Sequence, residues 1–336
     1  MRVELDGIHP WRHDLAGCLH ACAATLVSHA GYAPLEALGA GWHFYYQLGD
    51  LRSEEYYFPC PDGRSLLSSL APFSPISSCW RWPRDTEQGW HEVREHLLTG
   101  SPAAVAVDNF ELPFRPAYQD VHSNHLVVVY GFDDESHSAL VLDAIPPFFR
   151  GELPLPVLAA ARESGNRVSH ERDMFFADNP IGNRWLQLLT DSAPAGDGSP
   201  AGFLARNLKD FQAAAEPGSY RGRDGVARFL DEMSTRLEGG QPIADELFVV
   251  AGVALATTAV HADWVADTGR RLGLAGWPEL ARQIERVAHH WTAVRIMGSL
   301  SRTGEVTAQR LRGRRAALLS DLDRALAGVE TVLAAQ

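Results

Sequence analysis

The chain has 336 residues, 46% of them hydrophobic and 21% charged, an ordinary globular composition with room for one large or two modest domains. A formal net charge of −12 excludes the broad basic surface of a general nucleic-acid binder and names no substrate. No apolar run reaches the ~18–20 residues of a membrane span; the longest, residues 247–260, stops at His261 and Asp263 and reads as a buried helix.

Residues 1–11 mix charges with a proline and lack an apolar stretch, so no targeting segment is expected and the chain is assigned to the cytoplasm. There Cys18, Cys22, Cys60 and Cys79 are expected as reduced thiols, and with no CxxC pair neither a zinc ribbon nor a thioredoxin-like motif is expected. Every basic residue except Lys209 is arginine, which reads as coding bias.

Along the chain, residues 14–29 read as a first helix, with Leu15, Leu19, Cys22 and Leu26 as its apolar stripe, Asp14 as N-cap and Gly31 as stop. Residues 89–98 predict a second helix and residues 102–107 a buried strand. Residues 125–132 and 138–142 predict a hairpin turning at residues 133–136. A helix followed by a strand-rich half gives an α+β class. The Ser/Gly/Pro/Asp-rich residues 190–200 read as a linker, dividing a domain over 1–190 from one over 200–336. The second is expected to be all-α, with helices near 203–214, 225–237, 244–272, 278–300 and 305–334.

Three positions stand out for chemistry. Cys18, after Gly17, lies near the start of the first helix, where free backbone N–H groups and the helix dipole stabilise a thiolate and can receive an oxyanion. The competing reading is a buried structural cysteine, which is also the reading for Cys22. Cys60 and Cys79 read as structural residues in loops. His125 opens the buried strand 125–132, held rigidly yet able to face a cleft, as a general base for a thiol requires. Asp143 ends the returning strand; antiparallel pairing brings it beside His125, where it would fix the imidazole tautomer. The alternative is an acid capping the turn before Pro146 and Pro147. His122 and His125 form a potential metal pair, but no third or fourth ligand stands at suitable spacing, and no metal or cofactor is expected.

Cysteine, histidine and aspartate in that order on helix, strand and strand resemble the papain-like cysteine peptidases and their relatives. The run from Cys18 to Gly31, followed by Leu35, Glu36, Gly39, Gly41, Trp42 and Phe44, is similar to the N-terminal domain of the butirosin biosynthesis protein H family. Val107–Asp108 and the segment from His125 to Gly131 resemble the same family. The helical half, with Trp264 and Trp291, resembles the helical domain that often follows. The resemblance implies acyl transfer from an acyl- or peptidyl-carrier-protein phosphopantetheine thioester to a small-molecule amine or an intramolecular nucleophile. Cys18 would be nucleophile, His125 base and Asp143 the orienting acid.

A Gln before the cysteine, which papain-like enzymes use for the oxyanion, is missing; the Cys18 N–H takes that place first, Arg12 or His13 second. Asp108 is a candidate for an acceptor ammonium, Tyr118 and Asn124 for lining the cleft, and residues 42–46 for an acyl pocket; each also has a structural reading. Arg310, Arg312, Arg314 and Arg315, with Arg221 and Arg223, are candidates for docking an acidic carrier, against a solvated helix face or a homodimer contact. A peptidase, an amidase or a thioesterase would use the same residues, and a non-catalytic binding protein would leave Cys18 in a core.

Overall fold

The computed structural model describes residues 1–47, 58–60, 63–169, 179–190, 198–214 and 218–335. Its elements in chain order are β1 (Arg2–Glu4), α1 (Cys18–His29), α2 (Pro34–Gly39), β2 (Tyr45–Gln47), α3 (Leu66–Leu70), β3 (Ser77–Arg81), α4 (Thr86–Leu98), β4 (Ala103–Asp108), β5 (Asn124–Asp133), β6 (Ser138–Asp143), β7 (Phe149–Pro154), α5 (Leu155–Glu163), β8 (Trp185–Leu189), α6 (Pro200–Gln212), β9 (Ser219–Arg221), α7 (Gly222–Glu238), α8 (Ala244–Leu272), α9 (Trp277–Ser301) and α10 (Ala308–Ala334). The architecture is mixed α and β with an antiparallel sheet. The chain forms two compact units: Met1–Pro34 with Ile76–Ser192, and Leu35–Pro75 with Ala193–Gln336. Residues 35–75, on the N-terminal side of a division in chain order, thus pack with the C-terminal helices. Most of the expected linker, 191–197, lies outside the described residues.

The first unit is built on a seven-stranded sheet ordered β3-β8-β4-β5-β6-β7, with β1 added to β5. All six residues of β4 are buried, as are nine of the ten in β5, so both strands read as continuous apolar runs rather than alternating ones. One core cluster gathers Val105, Val107, Val127, Val129 and Val141 of the sheet with Val93 and Leu97 of α4, Leu158 and Ala161 of α5, and Trp185 of β8. Helix α1 packs on β5 and β4 separately from that cluster. The N-terminal half of β5 pairs with β4, and its C-terminal half with β1. That change of partner depends on Gly131, where a Cβ would meet the backbone of Val3 and come within 3.0 Å of Glu4 Cα. The expected hairpin is present as β5 and β6, pairing antiparallel from Val128–Leu142 to Asp133–Ser138. Helix α4 starts at Thr86, earlier than residue 89, because the Asp85 carboxylate caps it by accepting the Gln88 N–H at 2.8 Å.

The second unit centres on the antiparallel hairpin of α8 and α9, which turns through left-handed Gly273 (φ +65°) and Gly276 (φ +81°). Helix α10 packs on α9, α7 and α6. Residues 35–47 belong here for visible reasons. The Gly39 carbonyl accepts His261 Nδ1 at 2.7 Å, Glu36 accepts Trp264 Nε1–H at 2.8 Å, and Trp42 Nε1–H donates to Thr258 Oγ1 at 3.2 Å. The all-α expectation for the C-terminal part is corrected by one detail: β9 pairs with β2 in a two-stranded ladder, Tyr45 opposite Arg221 and Tyr46 opposite Tyr220. Three residues between two glycines carry too little pattern to reveal a partner so distant in sequence. Helix α8 is long and apolar enough to cross a membrane by length and composition, but most of its apolar window is buried within this unit.

Candidate active site

Helix α1 begins at Cys18 itself. Its N-cap is Gly17, extended at φ −92° and without a side chain to cap the first turn, so Asp14 does not cap the helix as expected. Residues 13–16 form a turn closed by Ala16 N–H to the His13 carbonyl at 3.1 Å, which sets Asp14 before the helix, paired with Arg12 at 2.9 Å. Leu15 is correspondingly exposed, and the buried run of α1 starts at Leu19. Cys18 is therefore the first helical residue, partly exposed, at the positive end of the helix dipole.

His125 is the second residue of β5 and Asp143 the last of β6. Continuing the register one step past Val128–Leu142 puts Asp143 opposite Val127, two residues from His125 and so on the same side of the strand. The diagonal neighbours meet: His125 Nε2 donates to Asp143 Oδ2 at 2.8 Å, with His125 4% and Asp143 1% exposed. This contact leaves Nδ1 for the Cys18 sulfur, with which His125 also hydrogen-bonds. Cysteine, histidine and aspartate from three separate elements are thus one connected set.

The charges of this set follow from its surroundings. Burial pushes the Cys18 thiol up, but the charge and hydrogen bond of His125 and the Leu126 N–H outweigh it, and its pKa falls below the usual 9.0. Burial likewise opposes charge on His125, yet attraction to Asp143 and to Cys18 raises it from 6.5 to about 9. Asp143 stays below the usual 3.8 against its own burial, through His125, the Ile145 N–H and Arg115. The arrangement favours a thiolate–imidazolium pair over a neutral one near pH 7. Cys22, one turn along α1, shows the opposite balance: burial dominates, the Cys18 charge adds to it, and its thiol is pushed well above 9.0.

Arg115 was not foreseen. Its Nη1 donates to Asp143 Oδ2 at 3.2 Å and to the Ile145 carbonyl at 3.1 Å, clamping the acid to the chain that follows β6. It stands in an irregular segment between Phe114 and Pro116, where no periodicity marks it. The Leu126 N–H, a backbone group, has no sequence signal at all.

Other candidates fall elsewhere. Asp108 is fully buried and accepts from His122 Nδ1 at 2.7 Å, Ser164 Oγ at 2.6 Å, Phe110 N at 3.0 Å and Ser123 N at 3.1 Å. With its oxygens so engaged, it ties β4 to the following loop and is not open to an acceptor ammonium. The same bond engages His122 Nδ1, while His125 Nε2 is engaged by Asp143. Asn124 is buried opposite Asp108 in the β4–β5 ladder, and Tyr118 is exposed, accepting from Gln119 at 3.3 Å. Cys79 lies in β3 rather than in a loop, and none of the four cysteines is in a disulfide. His13 Nδ1 accepts the Leu15 N–H at 3.2 Å, and Arg12 pairs with Asp14 at 2.9 Å. Trp42, Phe44 and Tyr46 are core of the second unit. Arg223, Arg312 and Arg315, expected to face a carrier, pair with Asp323, Glu238 and Asp231.

Comparison with curated proteins gave no match. A family model did match, from one residue before Cys18 to one after Asp143: residues 17–144 are similar to the family described as butirosin biosynthesis protein H, N-terminal.

Proposed function

We propose that the protein is a cysteine-dependent acyltransferase of natural-product biosynthesis, with Cys18 as nucleophile, His125 as proton carrier and Asp143 as the acid that orients it. The observation carrying this reading is the Asp143–His125–Cys18 chain of hydrogen bonds ending at the uncapped first residue of a helix. A nucleophile, a base that holds it ionised and a third group that orients the base are the minimum for acyl-enzyme chemistry. The family name supplies the biosynthetic setting.

In the proposed reaction the donor is an acyl thioester of a carrier protein's phosphopantetheine arm. The Cys18 thiolate adds to the thioester carbonyl, and backbone N–H groups of the first turn of α1 receive the oxyanion. The C–S bond to the carrier breaks, and its departing thiolate takes the proton from His125. An acceptor amine then attacks the Cys18 acyl-enzyme and gives its proton to His125, and the thiolate leaves to restore the pair. Thioester exchange is nearly thermoneutral, so placement and the oxyanion site supply most of the acceleration. An intramolecular nucleophile in the acceptor's place makes the product cyclic, and water makes it an acid.

The test supplies acyl-N-acetylcysteamine thioesters with and without a primary amine and separates amide from free acid by mass. Cys18-dependent amide formation supports transfer. Free acid alone turns the assignment to thioesterase, and cleavage of peptides with no turnover of thioesters turns it to peptidase.

A further inference from the structure

We infer that the second unit contains a binding site for a phosphate ester of a small organic molecule, in a cavity of about 270 Å3 walled by Arg64, Arg206, Lys209 and Arg221. In a chain with net charge −12, four cations around one hollow are a local reversal of sign. One acid, Asp210, shares the wall. Among the described residues Arg64, Arg206 and Lys209 have no acidic partner, unlike Arg223, Arg312 and Arg315 of the same unit.

The hollow is built rather than incidental. The Arg206 guanidinium lies 4.6 Å from the Phe73 ring centroid, and Phe73 stacks on Phe203, which holds the cation in place on an apolar support. Its Nη2 is buried without a hydrogen bond to a described residue, and so is Ser69 Oγ on α3, a residue only 1% exposed. Both atoms belong to residues of the same wall and leave a donor to spare for a ligand oxygen. Burial and the nearby Arg64 charge push His43, which also lines the hollow, down to about 4. Arg221 is the N-cap residue of α7, so a 17-residue helix with no side-chain cap begins at the same wall. The sole lysine of the chain, Lys209, falls here too. Several guanidinium and ammonium donors match the oxygens of a phosphate better than a single carboxylate, while Tyr45, Pro72 and Phe73 supply apolar surface for the organic body.

Lys209 also makes the test direct, because it and the N-terminal amine are the only primary amines. The full-length protein is acylated with an N-hydroxysuccinimide ester, and labelling at Lys209 relative to the N-terminus is read by peptide mass spectrometry. The probes are 4′-phosphopantetheine and adenosine 5′-monophosphate, each beside its dephosphorylated parent, with chloride at matched ionic strength. At least one ester is expected to slow Lys209 labelling about tenfold while its parent and chloride do not, and Arg206→Gln and Arg64→Gln are expected to remove most of that protection. Arg64 is exposed, so its substitution leaves the fold intact if Arg206→Gln does not. Protection by the parents or chloride to the same extent, no protection by either ester, or full protection in Arg64→Gln overturns the assignment. Cys18→Ala is expected to keep the protection, so this result and the acyl chemistry stand or fall separately.

Discussion

Asp143→Asn removes one negative charge from beside His125 and leaves the shape of the site nearly unchanged. Asp143 Oδ2 lies 2.8 Å from His125 Nε2, and both residues are almost wholly buried. Two unit charges about 4 Å apart at an effective dielectric near 20 attract by about 4 kcal/mol. The rise of His125 from 6.5 to about 9 corresponds to about 3 kcal/mol of preference for imidazolium, a consistent magnitude. Asp143 leads the attractions that overcome burial, with Cys18 next, and an acid contribution on the order of 2 kcal/mol lies within the coulombic limit of about 4 kcal/mol. Its loss lowers the ratio of thiolate–imidazolium to neutral pair by up to about thirtyfold, offset in part because the direct repulsion by which Asp143 raises the Cys18 thiol is lost with it. The assay is the rate of iodoacetamide alkylation at Cys18 from pH 5 to 10, located by peptide mapping, in wild type and Asp143→Asn. Wild type is expected to show an inflection below 9.0; the variant's inflection moves upward and its rate at neutral pH falls severalfold, by less than that ratio. Superimposable profiles would refute the view that the buried acid sets the charge state of the pair.

Four further outcomes follow from the geometry. His125 is raised to about 9, so its proton is available below that pH and lost above it; the acyl-transfer rate at saturating donor is expected to fall as pH rises through about 9. Iodoacetamide at neutral pH is expected to modify Cys18 and spare Cys22, whose thiol is pushed well above 9.0, and Cys22→Ala is expected to keep the acyl adduct. Arg115→Gln loses donors to Asp143 and to the Ile145 carbonyl; urea unfolding is expected to show a loss of about 1–3 kcal/mol, with the Cys18 inflection moved less than in Asp143→Asn. Gly131→Ala places a Cβ 2.8 Å from Leu140 Cδ1 and is expected to cost about 1–3 kcal/mol by overpacking, seen as faster amide exchange in β1.

The parts of the site legible in sequence were those carried by local pattern. The apolar run 125–132, the turn at 133–136 and the apolar run 138–142 specified a hairpin, and antiparallel pairing then brought His125 and Asp143 together. The apolar stripe marked a first helix and put Cys18 near its start, although the Asp14 cap was misplaced because residues 13–16 turn before the helix begins. The order of the sheet was not legible. Strand β8, from residues 185–189, lies between β3 and β4, and β1 joins β5 through three residues; pairings across such separations leave no period in either segment. Gly131, which lets β1 approach β5, went unremarked inside the apolar strand, because the backbone it meets belongs to Val3, far away in sequence. Asp108 illustrates the converse: a strand-end acid looks available until its four donors are seen. The described residues of 35–75 pack with the C-terminal helices through contacts between segments far apart in sequence, such as Gly39 to His261, that only the folded chain reveals.

The central claim is that Cys18 carries the acyl group. Intact-protein mass spectrometry after brief mixing with acyl-N-acetylcysteamine thioesters, with Cys18→Ala and Cys22→Ala in parallel, tests it most directly. The account predicts one acyl adduct on wild type and Cys22→Ala, mapped to Cys18, and none on Cys18→Ala. An adduct that persists in Cys18→Ala, or amide formation that proceeds in that variant, would contradict it.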